Sequence, residues 1–158
     1  MRDWGQEGKG NHANPGFNYR MDGLQGAILG IKLKHLNEWT EARNRVATLY
    51  RELLEGEERI TLPSLRSGAA HSYHIFAVLT PERDRIANEM RKAGIGCESH
   101  YPVPIHLHPT SVNLGYSKGD FPVAERIASE EISLPIYPEL NKEQVVRVAK
   151  FLVDAHNG

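Results

Sequence analysis

The sequence has almost no cysteine, almost no excess of charge and no long apolar run. Its 158 residues include one cysteine, Cys97, so this chain by itself forms no internal disulfide and no zinc cluster of several thiolates. Lys and Arg number 19 against 20 Asp and Glu, a net charge of -1, which argues against a strongly basic nucleic-acid-binding protein. No apolar run approaches the roughly 20 residues of a membrane span, and the N-terminus lacks the apolar core of a signal peptide. We therefore expect a cytoplasmic protein with no nucleic-acid or membrane partner.

The first third of the chain contains a loop followed by a long helical pattern. Residues 1–17 are rich in Gly and Asn and show no periodicity, which predicts a loop. From Asp22 to about Glu55, apolar residues recur at spacings of three, four and seven, which predicts one long helix. Asp22 and Gln25 form a possible capping box at its start, and Gly56 is suited to its end.

Glycines are unusually frequent in the first turns of this predicted helix. Gly23, Gly26 and Gly30 each cost about 1 kcal/mol relative to alanine in a helix interior. Two interpretations remain open. The segment is either a core helix packed closely on a neighbour, or a helix start that lines a cofactor site or a subunit interface.

The remaining two thirds alternate between short strands and helices. Strands are predicted at 60–63, 71–80, 96–101 and 133–136, and helices at 81–93, 121–129 and 141–156. This order predicts an α+β fold, with a long N-terminal helix and a few-stranded sheet that carries helices on one face.

Histidines cluster in the proline-rich segment HYPVPIHLHP, residues 100–109. The prolines stiffen this segment and suit it to present His100, Tyr101 and His106 to a pocket; the alternative is a rigid surface crossover with a purely structural role. His106 and His108 are spaced for one face of an extended segment. However, no spacing specifies a third ligand and neither HExxH nor CxxC occurs, so no metal site is predicted. The adjacent Ser99 and His100 make a poor catalytic pair, because neighbouring strand residues face opposite ways.

A second candidate site precedes the glycine-bearing helix. Asn18 offers an amide and Arg20 a planar, charged fork, both suited to a phosphate. The start of a helix adds partial positive charge. The alternative is that Arg20 pairs with a carboxylate and Asn18 makes a turn. Motifs of other catalytic classes, GxSxG, GxxxxGK[ST] and GxGxxG, are absent.

Several strings taken together resemble one protein family. NYRMDGLQGAI, HYPVPIHL and SLPIYPEL occur in the order in which similar strings occur in the C-terminal half of the DegT/DnrJ/EryC1/StrS aminotransferases, and the similarity extends from about Gly16 to Leu152. The resemblance implies the small C-terminal domain of a fold-type I, aspartate-aminotransferase-like enzyme that depends on pyridoxal phosphate. It implies three segments: residues 1–20 as a linker from a large domain, 21–56 as a long connecting helix and 57–158 as a small α/β domain.

The resemblance also implies a chemistry and a set of site residues. Family members move an amino group, usually from glutamate, to a nucleotide-linked keto-sugar, and some act on related ketones in antibiotic pathways. By resemblance, Asn18 and Arg20 reach the cofactor phosphate or its surroundings in the partner subunit of a homodimer. Tyr19, His100, Tyr101 and His106 become substrate-side candidates.

One expected part of the family's machinery has no counterpart in this sequence. The lysine that holds the cofactor as a Schiff base lies upstream of the N-Y-R string in the family, and none of the lysines here occurs in its sequence context: Lys9, Lys32, Lys34, Lys92, Lys118, Lys142 and Lys150. We therefore expect no catalytic residue and no cofactor binding by this chain alone. Three hypotheses follow: an inactive C-terminal fragment, a self-associating or small-molecule-binding module, and a half-enzyme that joins a separate large domain in trans.

Overall fold

The computed structural model describes residues 3–157, with the side chain of Asn157 left out. The chain divides after Glu38 into two compact units. Among these described residues, five α-helices lie at Gly23–Leu33 (α1), Leu36–Leu54 (α2), Arg83–Lys92 (α3), Pro122–Glu130 (α4) and Lys142–Asn157 (α5). Two strands lie at Phe76–Leu79 (β1) and Glu131–Leu134 (β2), and two short 3₁₀ helices at Ile105–Leu107 and Pro109–Leu114. Within the described range, no helix is long and apolar enough to cross a membrane.

The first unit is a tightly turned loop followed by α1. Isolated antiparallel bridges join Asp3 to Asn18 and Gln6 to His12, so the predicted loop folds back on itself. The predicted capping box is confirmed: the backbone N–H of Asp22 donates to Gln25 Oε1 at 2.9 Å, and the Asp22 side chain accepts from the first turn.

The prediction of one continuous helix from Asp22 to Glu55 is wrong at Lys34 and His35. Their backbone N–H groups donate to Ile31 and Lys32, three residues back, at 3.3 and 3.0 Å. This tighter hydrogen bonding ends α1 before α2 begins. Glycine and proline are absent from this turn, so no residue in the sequence marked it.

The interpretation of the glycine-bearing segment as a core helix is also wrong in this chain. No residue of α1 is buried, and five of its large apolar side chains are exposed: Leu24, Ile28, Leu29, Ile31 and Leu33. A contiguous exposed apolar surface of this kind is typical of an interaction site.

The second unit is built around a small antiparallel sheet, as expected for an α+β domain. β1 pairs with β2 in the register Phe76 to Leu134 through Leu79 to Glu131. A single bridge joins Thr61 to the outer edge of β1, and another joins Glu98 to Ser133 on the outer edge of β2. The predicted strands at 60–63 and 96–101 are thus reduced to one paired residue each, and the strand predicted at 71–80 is confirmed only over β1.

The core of the second unit lies between the sheet and the helices α2, α3 and α5. Tyr50 on α2 is fully buried and stacks on Phe76 of β1 with 5.1 Å between ring centroids. Its hydroxyl donates to the Pro135 carbonyl at 3.0 Å, which ties α2 to the end of β2. The other large, fully buried side chains are Leu54, Ile86, Met90, Ile132, Leu152, Val78 and Val145. This core holds β2, whose polar side chains form part of the candidate site.

The predicted three-part division of the chain stays a prediction. The structure separates the units inside α2, between Glu38 and Trp39, rather than at a helix boundary. The two units are described individually below.

Candidate functional site

In the first unit, polar groups gather at the N-terminus of α1. Asn18, Arg20, Asp22 and Gln25 line a recess of about 300 Å³. The Asn18 side-chain oxygen accepts a 3.5 Å hydrogen bond from the backbone N–H of Arg20, as an asparagine in a turn does. Both alternatives considered for these residues are thus partly present, because Asn18 makes a turn and also lines the recess.

Arg20 is the main positive group of this recess. Its side chain is 63% exposed, and its one ion pair among the described residues, from Nε to Asp3 Oδ1, is 4.0 Å long. An exposed pair at that distance holds the side chain only weakly, so the guanidinium is available to an anion. The first backbone N–H groups of a helix also lack acceptors within the helix, and α1 begins here at Gly23.

This donor set fits one face of a phosphate group. Arg20 supplies a charged fork, Asn18 an amide and the helix start its N–H groups. The Asp22 carboxylate, which also lines the recess, opposes an anion, although the capping box turns it toward the backbone of α1. Tyr19 lies beside these residues with its side chain 71% exposed.

In the second unit, His100 is held by a carboxylate and a serine of β2. The backbone N–H of His100 donates to Glu131 Oε2 at 2.7 Å, and His100 Nδ1 lies 2.8 Å from Ser133 Oγ. Ser133 Oγ in turn lies 2.5 Å from Glu131 Oε1. Glu131 and Ser133 are buried, whereas His100 is exposed. The ring therefore has one fixed nitrogen, Nδ1, and a surface position.

A buried arginine completes this cluster. Arg83 donates through Nη1 to Ser99 Oγ and, at 3.3 Å, to the Glu131 backbone carbonyl. Ser99 Oγ donates to Glu131 Oε2 at 3.2 Å. A buried carboxylate needs hydrogen-bond donors, and Ser99 supplies one of them. The Arg83 guanidinium forms its ion pair with Asp84, from Nε to Oδ1 at 2.7 Å. The expectation that Ser99 and His100 face opposite ways is wrong: neither residue lies in a strand, and both side chains reach the same cluster, Ser99 through Glu131 and His100 through Ser133.

Tyr101 has an unusual backbone. Its φ angle is 65° and its side chain is 82% exposed. A bulky residue in the left-handed region is a genuine outlier and costs free energy. Its ring lies edge-on to the His100 ring at 6.4 Å between centroids. The structure thus brings His100 and Tyr101 together on the surface.

His106 lies in a separate cluster and is buried. Its Nε2 lies 3.0 Å from Glu125 Oε1 on α4, and its ring packs against Phe121 at 4.8 Å between centroids. Glu125 Oε1 also accepts from the Gly119 N–H at 2.7 Å. These contacts connect the proline-rich segment to α4, so His106 has a structural role. A structural role was the alternative to ligand binding considered for this segment.

Glu131, Ser133 and Arg83 were not predicted as site residues. Ser133 belongs to the SLPIYPEL string, which offered a signal, but Glu131 and Arg83 belong to no quoted motif. Within the described residues, no three His, Cys, Asp or Glu side chains are grouped to hold a metal ion.

Comparison with solved structures and known relatives defines the class of protein. The crystal structure of DesV from S. venezuelae superposes with a TM-score of 0.91 at 34% identity, over 99% of this chain and 42% of that one. The dTDP-3-amino-3,4,6-trideoxy-alpha-D-glucose transaminase of Streptomyces venezuelae is 36% identical over 148 residues, which is 94% of this chain and 39% of that protein. The architecture is that of the C-terminal portion of an aminotransferase.

A match to a family model over most of the chain identifies the protein family. A model of the DegT/DnrJ/EryC1/StrS aminotransferase family matches residues 1–153, and the chain belongs to this family. The "Pleiotropic regulatory protein" of Geobacillus stearothermophilus is 38% identical over 157 residues, covering 96% of this chain and 42% of that protein. The chain spans about two fifths of the length of the relatives it matches.

Proposed function

We propose that this chain is the C-terminal part of a pyridoxal-phosphate-dependent aminotransferase that transfers an amino group, from glutamate, to a nucleotide-linked keto-sugar. Family membership and similarity to a protein named as a dTDP-aminosugar transaminase support this proposal. A cytoplasmic location belongs to the same proposal. By itself the chain is inactive, because none of its lysines occurs in the sequence context of the family's cofactor lysine.

The observation that carries the proposal is the weakly paired Arg20 at the start of α1. Arg20, with Asn18 and the first N–H groups of α1, would hold the cofactor phosphate. When bound, the cofactor supplies the electron sink that amino transfer requires. In this proposal, Arg20 and Asn18 bind and orient the cofactor phosphate. The residues that bind and orient the sugar substrate are Tyr19, His100, Tyr101 and His106. Of the histidines, the exposed His100 is better placed for a ligand than the buried His106.

Self-association is part of this proposal. Five large apolar side chains of α1 are exposed in this chain, and an exposed apolar surface favours association. A homodimer in which Asn18 and Arg20 serve the partner subunit would bring the glycine-bearing helix to the interface. This arrangement is the second of the two interpretations of the glycines.

Borohydride trapping combined with complementation tests the proposal. The chain alone, incubated with pyridoxal phosphate and reduced, is expected to carry no adduct specific to one lysine in peptide mass spectrometry. Mixing it with the separately produced upstream region of a full-length relative tests assembly in trans. Transaminase activity is then expected to fall in R20A, which removes the phosphate-facing cation, and to persist in R66A, which removes an exposed arginine elsewhere.

The outcomes separate the hypotheses. A specific adduct on one lysine of the chain alone would overturn its proposed inactivity. Activity of the mixture that depends on Arg20 supports the half-enzyme. If the mixture has no activity and the chain alone carries no adduct, the results support the hypothesis of an inactive fragment. Activity that is equal in R20A and the unmodified chain contradicts the role of Arg20.

A further inference from the structure

The hydroxyl of Ser133 lies between a carboxylate and an imidazole, and its single proton has two possible acceptors. Ser133 Oγ is 2.5 Å from Glu131 Oε1 and 2.8 Å from His100 Nδ1. A hydroxyl donates one hydrogen bond and accepts up to two. Which neighbour takes the proton decides which nitrogen of His100 carries a hydrogen.

The other contacts of Glu131 settle the direction. Its Oε2 accepts from the His100 backbone N–H at 2.7 Å and from the Ser99 hydroxyl at 3.2 Å. Ser99 has its proton available for Glu131 because its own oxygen accepts from Arg83 Nη1. With Oε2 occupied by these two donors, Oε1 faces the Ser133 hydroxyl. A carboxylate oxygen accepts hydrogen bonds and donates none, and hydrogen bonds to a carboxylate are roughly twice as strong as neutral ones. The Ser133 proton therefore goes to Glu131 Oε1.

The imidazole is then left with one possible arrangement. Because the Ser133 proton is committed to Glu131, its oxygen accepts from His100 Nδ1–H. In a neutral imidazole one nitrogen donates and the other accepts, so Nε2 carries the free lone pair. Nε2 belongs to a ring that is exposed and that lines a shallow recess of about 250 Å³ together with His74 and Glu98.

We propose that Glu131 and Ser133 are positioning residues that hold His100 as the Nδ1–H tautomer, so that Nε2 accepts a hydrogen bond from a hydroxyl donor on a sugar ligand. The tautomer follows from the contacts in this chain, whereas the sugar hydroxyl rests on the function proposed above. The chain of groups differs from a hydrolytic triad, in which histidine stands between serine and carboxylate. Here serine stands in the middle and its proton is held by the carboxylate, so Ser133 is not a nucleophile.

The tautomer of His100 is directly measurable in the intact chain. Long-range ¹H–¹⁵N correlation spectra distinguish a protonated ring nitrogen from an unprotonated one. Recorded at about pH 8.5, where an ordinary imidazole is neutral, the unmodified chain is expected to show a protonated Nδ1 and an unprotonated Nε2 at His100. A His100→Gln sample assigns the signal.

The substitution E131Q is expected to invert this tautomer. The Gln carbonyl oxygen takes the Oε2 position, because that position accepts from the His100 N–H and the Ser99 hydroxyl. The Gln amide nitrogen then faces Ser133 and donates to its oxygen. The Ser133 proton turns to His100 Nδ1, and the ring proton moves to Nε2. S129A is the matched control, because Ser129 lies on α4 and donates only to the nearby Arg126 carbonyl; it should leave the tautomer unchanged.

The variant S133A tests the same inference without altering Glu131. It removes the acceptor of Nδ1–H, so the fixed tautomer is expected to give way to a mixture. A protonated Nε2 in the unmodified chain, or an unchanged tautomer in a folded E131Q chain, overturns the inference. Where E131Q fails to fold, an unchanged tautomer in S133A overturns it instead. These results do not depend on amino transfer, so failure of the proposed function and failure of this inference remain distinguishable.

Discussion

At the scale of single residues, Glu125 is a carboxylate whose surroundings change its chemistry. The backbone N–H of Gly119 first, then His106 and the N–H of Phe121, hold the pKa of Glu125 below its usual range. All three donors belong to the segment that precedes α4. Ionised Glu125 therefore stabilises this segment in the folded state.

We expect E125Q to alter the acid limb of the stability profile. Because the folded-state pKa of Glu125 is depressed, its contribution is complete above the unfolded value of about 4.3 and is lost as the pH falls through the lower folded value. Gln keeps an acceptor but cannot ionise. The unmodified chain is therefore expected to exceed E125Q in free energy of unfolding at neutral pH and to converge with it in acid. Urea denaturation at a series of pH values measures this difference.

The matched control for this prediction is E55Q, which removes an exposed carboxylate just beyond α2. Its profile should run parallel to that of the unmodified chain. If the stability profile of E125Q also ran parallel to that of the unmodified chain, ionised Glu125 would not stabilise the folded state.

Residue by residue, the sequence located the candidate side chains better than it located their partners. The stiff segment from His100 to His106 was recognised from its prolines. However, His100 meets Ser133 33 residues further along the chain, and His106 meets Glu125 19 residues further along. Local patterns carry no information on contacts at such separations, because they depend on how the whole sheet packs. Burial of one histidine and exposure of the other was therefore not predictable.

At the scale of elements, the glycines of α1 offer a second test. An added Cβ at Gly26 or Gly30 meets no atom within 4 Å in this chain. Replacing both by alanine is therefore expected to stabilise α1 by about 1 kcal/mol per site and to raise its helix content, measured by far-ultraviolet circular dichroism. G56A is the control of opposite sign, because Gly56 has a φ angle of 86° and alanine there is strained.

This test also distinguishes the two uses of a glycine-rich helix face. If another backbone packs on that face in a dimer, the two alanines should weaken self-association while they raise helicity. A loss of helicity would contradict the open surroundings of Gly26 and Gly30.

Helices were predicted better than strands, for a physical reason. α3, α4 and α5 each begin and end within three residues of the predicted bounds, because their apolar periodicity and their caps are local. Of the outer strands, only Thr61 and Glu98 pair with the sheet, since pairing depends on partners distant in sequence. The break after Leu33 lacked any local signal, as Lys34 and His35 are compatible with a helix.

At the scale of the whole molecule, the exposed apolar surface of α1 is expected to control the state of association. Its members include Leu24, Ile28 and Ile31, each at least half exposed. The weight-average mass in sedimentation equilibrium should rise with concentration for the unmodified chain and stay at the monomer value for the double variant I28K/I31K. V112K, a lysine at an apolar site 70% exposed in the second unit, is the control. A monomer at every concentration in the unmodified chain would contradict the proposed association.

The contacts of Glu131 have a consequence for engineering. One carboxylate holds both the main chain of His100, through its N–H, and the ring, through Ser133. A chimaera that exchanges only residues 98–109 between relatives, in order to change ligand preference, would separate this segment from its supports on β2. The transplanted unit should therefore include residues 131–133, although they are distant in sequence, so that the grafted histidine keeps its orientation.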